Sequence, residues 1–479
     1  MYRQTYCMET VIGRLEEIEL FNNILTGNRS EFMVVYGRRR VGKTFLIRQA
    51  FKAHISFQLS GIANASTQEL LINFDKAFKK INKKSATPAH TWFDAFTLLE
   101  TYLENIKVKR KVIFIDELPW LDTPNSQFIK ALEHFWNSWA SARKDVVLIT
   151  CGSAASRMIN KLINNRGGLH NRVTKRVKIV PFTLKECELF IQSKNSVLDR
   201  YQIIQLYMVF GGIPFYWNEV SKQLSATQNI QQICFNENGL LRTEFQNLFS
   251  SLFKNFDKHV AIVTALAKKA KGLTRVEIVT ATKLADGGSI SRILLELDES
   301  GFIRKYQPFQ KKSRSSLYQL VDFFTLFYFR YLASGTLYDN NKWINSQGLP
   351  TYKAWSGYAF EQVCLYHINQ IKNALQIGAV DTTISSWRSN SASNGAQIDL
   401  VIDRRDQVIN LCEMKYSINS FTIDKKYDQD LRNKIAAFKQ QTGTRKALFL
   451  TMLTTFGTTN NNYAAGIVQN NVIMDALFL

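Results

Sequence analysis

At 479 residues the chain exceeds one ordinary core, so about two to four domains are expected, and its 46% hydrophobic and 21% charged content fits a soluble globular protein. Seven prolines exclude long disordered linkers, and six scattered cysteines (Cys7, Cys151, Cys187, Cys234, Cys364, Cys412) without a C-x-x-C pair exclude a disulfide frame and a zinc site. The formal net charge of +22 creates a field that favours polyanions such as nucleic acid or an anionic membrane, with a merely solvated basic surface as the bland alternative.

The chain begins "MYRQTYCMET", which lacks the charged-then-apolar order of a signal peptide. No run of eighteen apolar residues follows anywhere, so no membrane partner and a cytoplasmic location are expected. The first informative stretch is "EFMVVYGRRRVGKTFLIRQAF": a strand over Met33 to Tyr36, a loop, then a helix. The loop fits G-x-x-x-x-G-K-S/T at every fixed position. Its backbone N–H groups must curl around phosphates, which needs Gly37 and Gly42. Lys43 would then reach the β/γ-phosphates and Thr44 would offer its hydroxyl to Mg2+. The nucleotide-binding stretch is therefore Gly37, Arg38, Arg39, Arg40, Val41, Gly42, Lys43, Thr44 and Phe45.

A second strand, Val112 to Ile115, runs into Asp116 and Glu117. Asp116 would hold magnesium through water and Glu117 would polarise the attacking water, which makes Lys43 and Glu117 the catalytic pair for ATP hydrolysis. A third strand, "DVVLITCGSAASRM", brings Ser153 to the level of a γ-phosphate sensor; a helix cap is the other reading.

These motifs resemble the AAA-type P-loop ATPases, and the segment "VIGRLEEIELF" is similar to the one that precedes the loop in the archaeal-type branch and its relatives among signal-transduction (STAND) ATPases. The resemblance implies nucleotide contacts from Ile12, Gly13 and Arg14. It also implies γ-phosphate arginines at Arg166 and Arg172, used in cis or from a neighbouring subunit of a homo-oligomer. "YMVFGGIPFYWNEV" resembles the GxP motif of the helical lid in that branch, matched by Gly212 and Pro214, with a plain helix-breaking turn as the alternative.

Downstream, the spacing from Lys268 to Asp322 predicts helix, turn, helix and two strands, the order of a winged helix. Thr274 and Ser289 are the expected N-caps, and Gly301 ends the second helix. Arg292, Lys311, Lys312 and Arg314 are the candidate phosphate contacts. Because Glu296, Asp298 and Glu299 crowd that helix, a relay arm with some phosphate contact is favoured over groove insertion. The run "DFFTLFYFRYL" lacks interleaved basic residues and is expected to be core.

In the tail, "AQIDLVID" and "VINLCEMKYS" read as an antiparallel hairpin around "RRDQ". Glu413 and Lys415 are two apart, so they share a face, and Asp399 stands on the partner strand. Asp399 and Glu413 would bind Mg2+, with Glu361 of an upstream helix as an outer carboxylate, while Lys415 would orient water and stabilise the scissile phosphate. A same-face ion pair at a sheet edge is the structural alternative. Glu361, Asp399, Glu413 and Lys415 resemble the PD-(D/E)xK nuclease core, with Ile398 where the family name has proline. The whole arrangement resembles ATPases that carry the C-terminal DUF234 domain.

The expected fold class is thus α/β: a P-loop NTPase parallel sheet (1–181), a helical lid (182–250), a winged helix (251–335) and a restriction-endonuclease-like α/β domain (336–479). The expected function is an ATP- and Mg2+-using switch, a P-loop ATPase, coupled to a metal-dependent nuclease-like domain that acts on nucleic acid. Two alternatives stay open: a regulator whose tail binds without cutting, and an oligomeric ATP-driven remodeller.

Overall fold

A computed structural model of the protein describes residues 11–83, 87–153, 158, 162, 171–253, 255–311, 315–333, 342–389 and 395–479. Cys7, Arg166, Lys312 and Arg314 lie outside the described residues. The chain divides into two compact units, Met1–Pro181 and Phe182–Leu479.

In the first unit, five strands build one sheet: β1 (Glu31–Tyr36), β2 (Ile55–Ser60), β3 (Lys111–Asp116), β4 (Val146–Gly152) and β5 (Lys175–Lys178), in the order β2-β3-β4-β1-β5. All neighbouring pairs are parallel. Parallel strands need crossover helices that cover both faces, which is why β1, β3 and β4 read as unbroken apolar runs rather than alternating ones. The helices are α1 (Leu15–Thr26), α2 (Lys43–Phe51), α3 (Thr67–Ile81), α4 (Trp92–Asn105) and α5 (Phe128–Ser138). Ser66 with Glu69 and Thr91 with Asp94 form capping boxes that start α3 and α4. Phe74, Trp92, Phe96, Phe128 and Phe135 pack with Phe32, Ile113 and Leu148 into a core on one face of the sheet. The strand order matters for function: β4 lies between the strand that leads into the glycine loop and the strand that ends in Asp116, so all three carboxyl ends meet at one edge.

The second unit opens with α6 (Leu184–Ser193), α7 (Arg200–Phe210), α8 (Pro214–Asn218), α9 (Ala226–Cys234) and α10 (Glu244–Leu252). Then come α11 (Asp257–Ala267), β6 (Leu273–Thr274), α12 (Arg275–Thr282), α13 (Gly288–Glu299), β7 (Ile303–Tyr306) and β8 (Leu317–Leu320). The three strands pair antiparallel in the order β6-β8-β7, a winged-helix arrangement. Thr274 caps α12 through a capping box with Glu277. Ser289 is not a cap: α13 starts one residue earlier, at Gly288, with Gly287 as its N-cap. Gly287 is extended (φ 171°), and the serine falls inside the first turn that follows.

The aromatic run continues as α14 (Phe323–Phe327) and a π-turn over Tyr328–Leu332, followed by α15 (Lys342–Ser346), α16 (Pro350–Tyr366) and α17 (Ile368–Ala374). Phe324 and Phe327 are fully buried, as expected of core. The last sheet is mixed, in the order β13-β12-β11-β10-β9, from β9 (Thr382–Arg388), β10 (Gln397–Arg404), β11 (Val408–Lys415), β12 (Ala447–Thr454) and β13 (Val468–Ile473). β10 and β11 pair antiparallel, whereas β11, β12 and β13 are parallel. Helix α18 (Lys425–Thr442) crosses one face of it, with Phe438 among Trp387, Val401 and Leu411, and Leu431 among Leu450 and Met452. A short α19 (Asn462–Ala465) completes the unit.

Candidate functional site

The loop after β1 needs its glycines for two separate reasons. Gly37 has φ 143° and a Cβ there would lie 2.2 Å from the Ile179 carbonyl oxygen. Gly42 has open space around it but φ 87°, and it supplies the left-handed N-cap from which α2 begins. Lys43 is buried and folds back on the loop, donating to the carbonyls of Gly37 at 3.0 Å and Arg38 at 2.8 Å. Burial holds its ammonium below the usual lysine range, opposed by the charges of Glu117 and Asp116.

Thr44 Oγ1 donates to Asp116 Oδ1 at 3.1 Å, joining the loop to the end of β3. Glu117 follows with a left-handed backbone (φ 47°), an uncommon conformation for a non-glycine residue, and its N–H donates to the same Asp116 oxygen at 3.0 Å. The turn aims the Glu117 carboxylate at the end of β4, where Ser153 Oγ donates to its two oxygens at 3.2 and 3.1 Å. The structure therefore gathers Lys43, Thr44, Asp116, Glu117 and Ser153 at one edge of the sheet. A hydroxyl and a carboxylate this close are the hard-oxygen pair that suits Mg2+, and the second carboxylate is pre-oriented by a neighbour.

Other expected nucleotide residues are distributed differently. Arg14 is buried and its Nη2 donates to the carbonyls of Val180 at 2.7 Å and Val41 at 3.5 Å, which braces the segment of Ile12 and Gly13 against the loop. Phe45 is 50% exposed in the first turn of α2, and Arg39 and Arg172 are exposed. Pro214 belongs to the second unit, where it starts α8 after a tight turn. Gly212 is required there, because a Cβ would lie 1.8 Å from the Phe182 carbonyl oxygen, while the Phe182 N–H donates to Gly212 O at 2.6 Å.

A second cluster forms on the tail sheet. Leu400 faces Cys412 and Val401 faces Leu411, so Asp399 of β10 and Glu413 of β11 adjoin the last paired residues of the two strands. Lys415 lies two residues further along β11, with its ammonium 4.9 Å from the Tyr427 ring centroid. Glu361 projects from α16, and its carboxyl is pushed up to about 8 by burial and by the charges of Asp399 and Glu413, with Lys415 acting against them. These four residues thus share one electrostatic neighbourhood.

Of the residues expected to hold metal, Glu361, Asp399 and Glu413, the last two have protein partners of their own. Among the described residues, no three His, Cys, Asp or Glu side chains are placed together to hold a metal ion. The physical reason lies on α18: Lys434 Nζ donates to Glu413 Oε1 at 2.6 Å and the Tyr427 hydroxyl donates to Oε2 at 3.1 Å. The Asp399 carboxylate accepts from the Gln397 side-chain amide. Lys434 and Tyr427 were not singled out from the sequence. Their signal is the spacing of Tyr427, Leu431, Lys434 and Phe438, one helical face on which a lysine interrupts apolar residues.

The winged helix keeps Arg292 exposed, 3.8 Å from Glu296, and Lys311 exposed beyond β7. No helix among the described residues is long and apolar enough to cross a membrane.

The chain is similar to several known proteins. An uncharacterized protein of Methanocaldococcus jannaschii is 24% identical over 429 residues, covering 88% of this chain and 91% of the relative. The Walker-type ATPase of Pyrococcus abyssi is similar at 16% identity over 67% of this chain and 97% of its own, with a TM-score of 0.49. The ORC2 protein of Aeropyrum pernix, in its ADPNP–ADP complexes, is similar at 13% identity over 75% of this chain and 97% of its own, with a TM-score of 0.40. Residues 12–220 match the family described as an ATPase domain predominantly from Archaea. That span contains the glycine loop, Asp116, Glu117 and Ser153, so this part of the chain is similar to archaeal-type ATPase domains.

Proposed function

We propose that the protein is an ATP-hydrolysing switch coupled to a nuclease-like domain that acts on nucleic acid. The observation that carries the first half is the linked set Thr44–Asp116 at 3.1 Å and Ser153–Glu117 at 3.1 and 3.2 Å beside Lys43. Lys43 would exchange its two loop carbonyls for the β/γ-phosphate oxygens of ATP. Glu117 would accept the proton of the attacking water while Ser153 keeps its carboxylate aimed. Thr44 and Asp116 are the residues that would hold Mg2+, and bound magnesium would neutralise charge on the β- and γ-phosphates. Boundaries at 1–181, 182–250, 251–335 and 336–479 describe the switch core, the lid, the winged-helix arm and the nuclease-like domain in this reading.

Phosphate release from ATP tests it. Lys43→Ala is expected to abolish nucleotide binding, and Glu117→Gln to retain binding while turnover falls about 100-fold or more. Unchanged turnover in both variants would exclude this site as the ATPase centre.

The second half rests on Asp399 of β10 and Glu413 and Lys415 of β11, all close enough to Glu361 to act on its carboxyl. DNA and RNA would be incubated with Mg2+ or Mn2+, with and without ATP, comparing wild type with Lys415→Ala. Cleavage that survives the substitution would come from a contaminant. One observation favours the rival reading, a nucleotide-dependent regulator whose tail binds without cutting: Glu413 is already engaged by Lys434 and Tyr427. Absence of cleavage with retained strand binding is the outcome that selects it.

A further inference from the structure

In the second unit, the winged-helix sheet, α16 and β9 enclose a cleft of about 850 Å³, within the range of sites that hold small ligands or short segments of larger ones. Arg304 on β7 lines it. Its Nη2 donates to Gln319 Oε1 at 2.7 Å, but its Nε is buried with no hydrogen-bond acceptor. Gln319 is itself fixed, since its amide donates to the Ala270 carbonyl at 2.8 Å. No carboxylate forms an ion pair with Arg304 among the described residues. A guanidinium desolvated in this way, with one neutral acceptor and no counter-charge, is costly unless an anion completes it.

Lys271 and Arg388 line the same cleft, and Lys271 is near enough to Arg388, Asp399 and Glu361 to feel the charge of each. The cations therefore stand beside the carboxylates of β10 and α16 rather than on a remote surface. Tyr306, also in the lining, offers a flat face of the kind on which a base stacks. The Tyr306 hydroxyl donates to Lys271 O at 2.7 Å, which holds the ring in place.

We propose that this cleft binds a phosphodiester of a single nucleic-acid strand, with Arg304 and Lys271 holding the phosphate and presenting it to the Asp399 side of the tail sheet. The site deepens the nucleic-acid half of the proposed function and does not depend on cleavage. An arginine fork with one nitrogen lacking an acceptor matches a phosphate oxygen, and a cleft of this size accepts a strand but not a duplex.

The test is fluorescence anisotropy of a short labelled single-stranded DNA with the full chain, in EDTA so that no cutting intervenes. Arg304→Met and Lys271→Met are each expected to weaken binding about tenfold or more, and Arg304→Lys to recover part of the loss. Lys353→Met, on the exposed side of α16, serves as the surface-charge control and is expected to bind as wild type. Arg304 variants would be compared by thermal unfolding, and Lys271→Met, at an exposed position, tests the same cleft without touching the buried guanidinium. Equal affinity of wild type, Arg304→Met and Lys271→Met would overturn the proposal. Displacement of the strand by an equal concentration of inorganic phosphate would also overturn it, by reducing the cleft to a general anion site. Strand binding that depends on these residues, without any cleavage when Mg2+ is restored, would leave the cleft standing and remove the nuclease reading.

Discussion

Ser153 and Glu117 illustrate what a single hydrogen bond can decide. A sensor serine would address phosphate directly, yet its hydroxyl donates to both Glu117 oxygens, so in this arrangement it positions that carboxylate. Ser153→Ala is expected to lower kcat for ATP about tenfold to 100-fold with little change in KM, because misaimed groups cost rate rather than affinity. A change confined to KM would mean that Ser153 contacts nucleotide instead. His367 is a second case. Its Nε2 accepts from the Leu184 N–H at 2.9 Å and its Nδ1 donates to Val363 O at 2.8 Å, so the folded state uses the neutral ring. Burial lowers its pKa from 6.5 to about 4. The unfolded chain takes up a proton below about pH 6.5 that the folded chain refuses until about pH 4, so this stability is complete above the unfolded value and lost as pH falls. The loss should reach about 2 kcal/mol between pH 7 and pH 5. Urea unfolding of the second unit at the two pH values, compared with His367→Gln, checks it: an equal acid sensitivity in both proteins would assign the effect elsewhere.

At the scale of elements, the end of β11 meets the helices that open the second unit. Tyr416, next to Lys415, stacks on Tyr201 of α7 with centroids 5.4 Å apart and rings 7° from parallel. Arg200 beside it donates to Glu188 of α6 and to Asp475 near the C-terminus, each at 2.7 Å. In the proposed switch, this stack would link the lid, α6 to α10, with the tail site. Tyr201→Ala is expected to leave ATP turnover intact while removing any effect of ATP on strand affinity; an unchanged ATP effect would show that the signal takes another route. The elements themselves were mostly legible. Thr274 announced α12 because a side-chain cap is a local interaction, and β10 and β11 announced themselves by alternation and the "RRDQ" turn. Ser289 misled because α13 begins at Gly288, so the serine lies inside the first turn and not at its cap.

For the whole molecule, the +22 charge is the long-range term, and it predicts that strand binding weakens with salt. Three cleft cations would give a log–log slope of about −2, from roughly −0.7 per neutralised phosphate on a single strand. A slope near zero would exclude the phosphate as the dominant contact. By itself the sequence located the glycine loop, the strand-end aspartate and the next glutamate, since each is a contiguous signal on a short stretch of chain. It also determined that Asp399, Glu413 and Lys415 share a sheet, because alternation and a hairpin are short-range geometry. Only the tertiary structure decided how those charges are used. Lys434 and Tyr427 reach Glu413 from a helix that crosses the sheet, and Arg304, Glu361 and Asp399 line one cleft although they are distant in the chain. Such contacts depend on which faces pack together, and side-chain burial, not residue spacing, fixes which charges must find a partner.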